Sequence, residues 1–467
     1  MRWSCLIVLI MASAFVFAQE GQLQADFRHE GDHIKENCGK FGFKGFANCA
    51  QELVTDHPLH LALGSIAPQN GFGFGPAFVT HYTPNESWRL SWNADAVGAM
   101  SGAWRAGAYM KIIHTPVSHI VPVAVPAGTK PKKSNLTIHP YTVFNIYAQA
   151  ISLPKLFFFG LGPDTQEAGK SVFGMRQTIV GGNAIVPVPK LGGLNLSLLG
   201  EVNGRFVSLR GNHDDISPSI EQLYTNTNAP GLANQPGFLQ LGEGVRIKPI
   251  LFDDHLQMNY LVNFQQFFAP SDSTYNFRRW TVDLDHQFPL YRNTHSTAPK
   301  DTNGPDECLP SPTSDKCPDI SYSRNRDGSI GFRLFISESA ASAGNVVPFY
   351  FQHTLGGSDI MGNPGLSSYQ DYRFRGPNLL LLRESFEHSI WGPFGFTFMA
   401  DQGKVALKRG DVDFSDLKHS FATGFTLRAG GFPQVYLLFA WGGNEGHHTI
   451  GSLNTSLLGG SGRPSLF

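Results

Sequence analysis

Beyond its first 18 residues, the sequence lacks any apolar run long enough for a membrane-spanning helix. Such a helix needs about 18 or more consecutive apolar residues, and no later stretch provides them. Charged residues are also scarce, at 16% against about 25% in ordinary globular domains. A formal net charge of −1 gives no electrostatic reason to expect a nucleic-acid partner. The scarcity of charge favours a protein whose outer surface faces hydrocarbon.

The chain opens with a basic residue and a short apolar run. Arg2 precedes Trp3–Phe17, and Val16 and Ala18 occupy the −3 and −1 positions of a cleavage site. These features predict a signal peptide over 1–18. The polar segment 19–58 is predicted to be a short periplasmic or plug-like segment, and 59–467 the main domain.

Four cysteines remain after the predicted cleavage site. Cys38 lies near Cys49 and Cys308 lies near Cys317, each pair in a polar, turn-rich segment. Outside the cytoplasm such neighbours are expected to form disulfides. A metal site is the alternative, but no CxxC motif or nearby histidine pair supports it.

From Leu59 onward, apolar and polar residues alternate in segment after segment. In Leu256–Gln265, for example, Met258, Tyr260 and Val262 share one face, as side chains two residues apart in a strand do. We predict eighteen candidate strands, near 59–67, 72–83, 88–101, 104–116, 139–152, 155–162, 171–188, 194–210, 237–250, 256–270, 276–291, 319–340, 346–355, 379–390, 394–406, 419–431, 434–442 and 447–458.

The same alternation would suit a soluble sandwich, but three features favour a transmembrane barrel. The segments are about ten residues or longer, aromatics lie near their ends, and short and long connections alternate. The short connections are predicted at 153–155, 391–393 and 430–433, and the long ones at 211–236, 292–318 and 355–377. The predicted fold class is therefore an all-β, antiparallel transmembrane barrel, with a closed wall because an open edge in lipid leaves backbone groups unpaired.

The chain is organised around Thr354–Val405. A Gly- and Arg-bearing loop comes first, and two strands joined by a Trp-Gly-Pro turn follow it. The motif residues are Gly356, Gly357, Met361 and Gly362 in the loop opener, Arg373 and Arg375 in an RFRG segment, and Asp401 and Gly403 on the second strand. In this order they resemble the barrel domain of the bacterial surface-antigen superfamily, the BamA/TamA-type outer-membrane assembly proteins, without a preceding POTRA module.

The resemblance implies a sixteen-stranded barrel in which this extracellular loop folds into the lumen. In the family a loop arginine meets the strand aspartate, but here Met361 stands in the place of that arginine. Asp401 is predicted to point into the lumen, beside Arg383, Ser385 and Glu387. Arg373 or Arg375 are our candidates to pair with it. The alternative is that Asp401 is solvated in a wet lumen.

No enzyme, metal or cofactor is predicted. The GFGFG run at 71–75 lacks the lysine and helix of a phosphate loop, so it is interpreted as a strand with closely packed glycines. Neither His213-Asp214-Asp215 nor His447-His448 has a third spaced ligand. An outer-membrane hydrolase with its active site assembled from distant strands is the weaker possibility.

The predicted function follows from the resemblance. We expect an outer-membrane protein of a Gram-negative (diderm) bacterium that takes part in inserting or translocating proteins or lipids. Its expected partners are outer-membrane lipid and unfolded barrel clients or secreted proteins; the oligomeric state does not follow from the sequence. The alternative is a passive pore or structural barrel without assembly activity.

Overall fold

The structure, a computed structural model, describes residues 59–85, 87–115, 141–188, 194–212, 217–252, 255–296, 322–391, 394–429, 432–443, 445–453 and 465–466. The predicted signal peptide, the segment 19–58, all four paired cysteines and His213-Asp214-Asp215 lie outside these residues.

The described residues are almost entirely strand and connection. The first ten strands are β1 Leu59–Ser65, β2 Phe72–Asn85, β3 Trp88–Ala99, β4 Trp104–His114, β5 Thr142–Phe158, β6 Ser171–Pro187, β7 Leu196–Gly211, β8 Phe238–Ile247, β9 Ile250–Leu251 and β10 Leu256–Phe268. The others are β11 Phe277–Ser296, β12 Tyr322–Ala341, β13 His353–Leu355, β14 Phe374–Gly376, β15 Asn378–Trp391, β16 Phe394–Ala406, β17 Lys418–Ala429, β18 Phe432–Gly443 and β19 Gly446–Leu453. One helical turn, α1 Ile220–Leu223, and four 3-10 turns, Glu167–Gly169, Ser273–Tyr275, Phe349–Phe351 and Arg409–Asp411, lie in the connections.

Each wall strand is antiparallel to the next along the chain. The short β9 continues β8 along the edge of β10, while β13 and β14 form a separate two-stranded sheet in a loop. Leaving these three out of the nineteen described strands gives a wall of sixteen. The predicted strand number and the barrel class are confirmed.

Two of the eighteen candidate strands are not separate wall strands. The segment 155–162 continues β5 through a bulge between Leu153 and Leu156. Pro154 has no backbone N–H to donate, so the ladder is interrupted there without a turn. The segment 346–355 is loop, with the 3-10 turn Phe349–Phe351 and the short β13.

The short and long connections were predicted to lie at opposite ends of the barrel, but long connections occur at both ends. The connections after β7 and β12 lie at one end of the barrel, which we call the capped end. Because successive antiparallel connections alternate between ends, the long connection from β11 to β12 belongs to the opposite end.

The two faces of the wall differ in polarity. Large apolar side chains on the outer face are exposed, such as Phe206, Phe394, Phe425 and Phe439. The inner face carries buried polar and charged side chains, including Asp401. This apolar-out, polar-in pattern is that of a wall facing lipid, and it is the reverse of a soluble sandwich.

Among the described residues, no helix is long and apolar enough to cross a membrane.

Aromatic packing closes the capped end. The Phe349 ring, fully buried, lies 5.1 Å from the Phe158 ring and 5.3 Å from the Phe173 ring, measured between centroids. Tyr372 joins the same cluster from further along the β12–β15 connection, and Ile220 joins it from the β7–β8 connection. Side chains of the long connections therefore bury one another and form a cap over the lumen.

The two ends of the sheet meet at a joint between β1 and β19. These strands lie side by side, yet no backbone ladder connects their described residues. We call this joint the seam.

Candidate functional site

The loop between β12 and β15 begins its inward course with a tight backbone hairpin. Gly356 N donates to Gly365 O at 2.9 Å, and Gly357 N donates to Leu366 O at 3.1 Å. Gly356 and Gly357 have positive φ angles of 106° and 60°, a region that favours glycine. A Cβ on Gly357 would also lie 2.4 Å from Asp371 Oδ1. The predicted Gly-Gly opener is therefore needed for the backbone path.

Met361 stands at the tip of this hairpin. Asp359 shapes the tip, because its Oδ1 accepts hydrogen bonds from Met361 N at 2.8 Å and from Asn363 N at 2.9 Å. Gly362 completes the turn with a φ of 82°. Met361 is 49% exposed. The position expected to hold the loop arginine therefore carries an uncharged, half-exposed side chain.

Asp401 points into the lumen as predicted, and a neighbouring strand neutralises it. Arg383 lies directly across from Asp401 in the β15–β16 register. Arg383 Nε donates to Oδ1 at 2.7 Å and Nη2 donates to Oδ2 at 3.0 Å, a bidentate pair. Asp401 is 2% exposed. Burial makes such a pair costly to break, since the remaining charge would be left unpaired.

The loop docks on this pair through its backbone. Leu366 N donates to Asp401 Oδ2 at 3.1 Å, and Arg383 Nη2 also donates to the Pro364 carbonyl. Further along the loop, Ser368 N donates to Ser420 Oγ on β17 at 2.8 Å. The pair therefore offers a carboxylate and a guanidinium to the loop at once.

Apolar contacts reinforce the docking. A buried cluster combines loop and wall side chains, namely Leu355, Leu366, Tyr369 and Phe374 with Leu379, Leu381 and Val405. Gly403 provides the space for it, because a Cβ there would lie 2.6 Å from Leu380 O and 3.2 Å from Leu355 Cδ2. The glycine of the predicted Asp-x-Gly motif thus allows close approach of the loop to the wall.

The hypothesis that Arg373 or Arg375 pairs with Asp401 is wrong. Arg373 Nε donates to Glu445 Oε1 at 2.8 Å, and its Nη2 donates to the Thr165 carbonyl at 2.6 Å. Arg375 Nη1 donates to the Phe349 carbonyl at 3.0 Å. Both arginines therefore bond to groups of the cap. The place beside Asp401 is occupied by Arg383 instead. A hairpin register counted from the Trp-Gly-Pro turn would have placed Glu384 across from Asp401, because a bulge between Ser389 and Trp391 shifts the register by one residue.

Two ionisable groups of the loop are shifted by burial. Burial lowers the pKa of Arg375 to about 10, so it stays charged at neutral pH. Burial also lowers the pKa of His353 well below its ordinary 6.5, and the Arg279 charge adds to that shift. His353 Nε2 lies 2.7 Å from Ser337 Oγ on β12. The loop is therefore docked with a neutral histidine.

The remaining candidates stay apart from this site. His447 and His448 lie on β19, and within the described residues no group of three His, Cys, Asp or Glu side chains could hold a metal ion. Ser385 and Glu387 are half-buried on the inward-facing side of β15. The run 71–75 is strand β2, apart from Gly71; a Cβ on Gly75 would lie 1.9 Å from Ala96 O, so the prediction of closely packed glycine is confirmed.

A second feature of the interior was missed from sequence. A cavity of about 430 Å³ lies between the docked loop and the last strand. Its lining includes Asp371 of the loop and His448 and Ile450 of β19. Space is therefore left beside the seam even when the loop is docked.

Comparison with known proteins shows likeness in fold alone. No protein-family model and no curated protein matches the sequence. Among solved structures, CdiB from Acinetobacter baumannii is 11% identical with a TM-score of 0.45, over 84% of this chain and 58% of that one. BamA from Haemophilus ducreyi lacking POTRA domains 1–3 is 10% identical with a TM-score of 0.46, over 84% and 69%. A bacterial polysaccharide outer membrane secretin is 8% identical with a TM-score of 0.33, over 85% and 93%.

The chain thus spans a little over half the length of the CdiB chain. BamA is one of the proteins that the sequence resemblance names, and the sixteen-stranded wall with its inward loop rests on this chain's own contacts.

Proposed function

We propose that this protein is an outer-membrane barrel of a Gram-negative bacterium that helps to insert or translocate polypeptides, with outer-membrane lipid and unfolded client segments as its partners. The role involves no covalent chemistry. The observation that carries the proposal is the seam between β1 and β19.

No backbone ladder joins β1 to β19 within the described residues, and a strand edge of this kind can take up another strand. Free backbone N–H and C=O groups on an edge strand can pair with an incoming strand, which is the physical basis of strand addition. In hydrocarbon these groups have no water to bond, so an incoming strand that pairs with them is strongly favoured. The other fifteen strand-to-strand joints of the described wall are laddered, so the proposal places client entry at the seam.

A passive pore is the alternative function, and the interior argues against it. The cap is packed around Phe349, and the loop fills the lumen beside Arg383 and Asp401. An open diffusion channel needs neither. A structural barrel without activity would have both features, so only a functional assay separates it from the proposal.

The test is client folding in liposomes. Purified protein would be reconstituted, an unfolded small barrel protein added, and the folding of that client timed against empty liposomes. The proposal predicts acceleration that is lost when a disulfide locks the seam. The lock would come from a panel of cysteine pairs, one residue in Leu59–Ser65 and one in Gly446–Leu453, in a chain whose own cysteines are changed to serine.

The matched control locks a joint on another part of the wall. Thr281 Oγ1 and Ser337 Oγ are 3.0 Å apart on β11 and β12, so Thr281→Cys with Ser337→Cys should also form a disulfide. That lock should leave acceleration unchanged. Client folding at the empty-liposome rate with the unlocked protein, or equal loss with both locks, would contradict the proposal.

A further inference from the structure

A second carboxylate lies in the lumen, on β7, away from the docked loop. Glu201 is 4% exposed. Gln240 Nε2 donates to its Oε1 at 2.5 Å and Gln265 Nε2 donates to the same atom at 3.3 Å. Its other oxygen, Oε2, accepts from Ser465 Oγ at 2.9 Å and from Leu466 N at 2.9 Å. One oxygen therefore bonds to the wall and the other bonds to the segment Ser465–Leu466.

An arginine completes the contact with that segment. Arg205 lies two inward-facing positions further along β7 than Glu201. Its Nη2 donates to Ser465 Oγ at 2.9 Å. Its Nε donates to Gln240 Oε1. The Ser465 hydroxyl thus accepts from Arg205 and donates to Glu201. Both charged residues are at least nine-tenths buried, so this is a built site and not a contact between exposed side chains.

The wall groups keep partners without the segment. Glu201 retains the amide donors of Gln240 and Gln265, and Arg205 retains Gln240 Oε1. A buried polar group that loses its only partner is costly, and Glu201 Oε2 loses both of its donors when the segment leaves, while Oε1 keeps its two amide donors. Leu466 belongs to none of the apolar clusters of the described residues. The empty patch therefore presents a free acceptor oxygen on a carboxylate that the wall still holds in place.

We propose that the lumenal patch formed by Glu201, Arg205, Gln240 and Gln265 is a peptide-binding site that the segment Ser465–Leu466 occupies reversibly. Its recognition chemistry is a hydroxyl residue followed by a backbone N–H. By occupying this patch, the segment keeps other polypeptide segments out of it. The last point rests on the function proposed above, but occupancy and exchange do not.

The test uses the full-length protein in nanodiscs with a labelled peptide of residues 460–467, GSGRPSLF. In the variant Ser465→Ala with Leu466→Pro, the segment lacks both the hydroxyl and the backbone N–H. The peptide should bind this variant at least tenfold more tightly than it binds the unaltered protein, where the resident segment competes. The same peptide carrying the Ala-Pro replacement should not bind.

The specificity control changes one charge at a time. Glu201→Gln, added to the Ala-Pro variant, should abolish most peptide binding. Glu387→Gln removes a different inward carboxylate, on β15, and should leave binding unchanged. Equal affinity in all four proteins, or no measurable peptide binding to a folded Ala-Pro variant, would overturn the proposal.

A second measurement applies if the Ala-Pro variant does not fold. In the otherwise unaltered chain, Glu201→Gln should speed hydrogen exchange at the Leu466 amide at least tenfold relative to Glu387→Gln. Unchanged exchange would overturn the proposal. Neither experiment uses a client, so loss of client folding activity with normal peptide binding would count against the proposed function alone.

Discussion

Two buried carboxylates on the inner wall each accept a backbone N–H from a segment that has folded inward. Asp401 accepts from Leu366 of the long loop at 3.1 Å, and Glu201 accepts from Leu466 at 2.9 Å. They differ in what neutralises them. Asp401 has a bidentate arginine directly across the ladder, whereas Glu201 bonds only amides, a hydroxyl and a backbone N–H.

The difference indicates two kinds of attachment. At Asp401 the guanidinium binds both the carboxylate and the loop carbonyl of Pro364, so loop and pair stabilise each other. The loop also buries an apolar cluster against the wall. At Glu201 the wall groups bond one another with or without the segment. We therefore expect the loop to be a fixed part of the lumen and the segment to be exchangeable.

The largest effect should come from removing the cation at Asp401. Arg383→Ala leaves a buried carboxylate without its partner, which costs about 3–5 kcal/mol, and the loop should undock. A spin label introduced by Asn363→Cys, in a chain without other cysteines, would report the change as increased mobility.

Arg333→Ala is the matched control for that variant. Arg333 makes a similar bidentate contact with Asp283, at 2.8 and 2.9 Å, but its side chain is 35% exposed and touches no part of the loop opener. An exposed pair is worth about 0–1 kcal/mol, so the label should stay immobile. Equal mobility in both variants would mean that the pair does not hold the loop.

A smaller effect is expected from filling the space beneath the loop. Gly403→Ala places a Cβ 2.6 Å from Leu380 O, and the strain of such overpacking is about 1–3 kcal/mol. The thermal midpoint in detergent should fall and the loop label should loosen partly. Gly410→Ala, where a Cβ meets nothing within 4 Å, should change neither.

Acidification should weaken the docking of the loop. The pKa of His353 is lowered in the docked state by burial, so docking is at full strength above pH about 6.5 and is lost as the pH falls toward the docked-state pKa. Between the two pKa values the loss is about 1.4 kcal/mol per pH unit. Label mobility would be followed from pH 8 to 5.

His353→Gln removes the titrating group while keeping a donor toward Ser337. Its label mobility should be flat over the same range. A pH profile identical to that of the unaltered protein would assign the acid sensitivity to a group other than His353, and Asp371 is not that group. Burial raises the pKa of Asp371, so its protonation would favour docking at low pH, the opposite sign.

The sequence predicts the wall better than it predicts the contacts inside it. Period-two alternation identifies the inward face of β16, and hence Asp401, because strand geometry alone determines that face. Arg383 was placed beside Asp401 for the same reason. Its role as partner was missed because a bulge between Ser389 and Trp391 shifts the hairpin register by one residue, and alternation does not reveal such a shift.

The Glu201 patch was beyond prediction from one sequence. Leu466 and Glu201 are 265 positions apart, and no periodicity connects a residue after the last strand with the middle of β7. The bulge at Leu153 was missed for a local reason, since Pro154 is as typical of turns as of bulges. Long-range contacts and bulges depend on how the sheet curves, which alternation does not encode.

The smallest effect should come from one hydrogen bond at the far side of the docked loop. Ser420→Ala removes the acceptor of the Ser368 amide, a contact of 2.8 Å, at a cost of about 1 kcal/mol. Hydrogen exchange at Ser368 should therefore be about fivefold faster, while exchange at Leu366, held by Asp401, should change less. Thr423→Val on the same strand breaks only a bond to the Thr397 carbonyl of the wall and should leave both amides unchanged. If Ser420→Ala instead released Leu366 and Ser368 equally, the loop would undock as one cooperative unit, and the Asp401 and Ser420 contacts would be parts of one site.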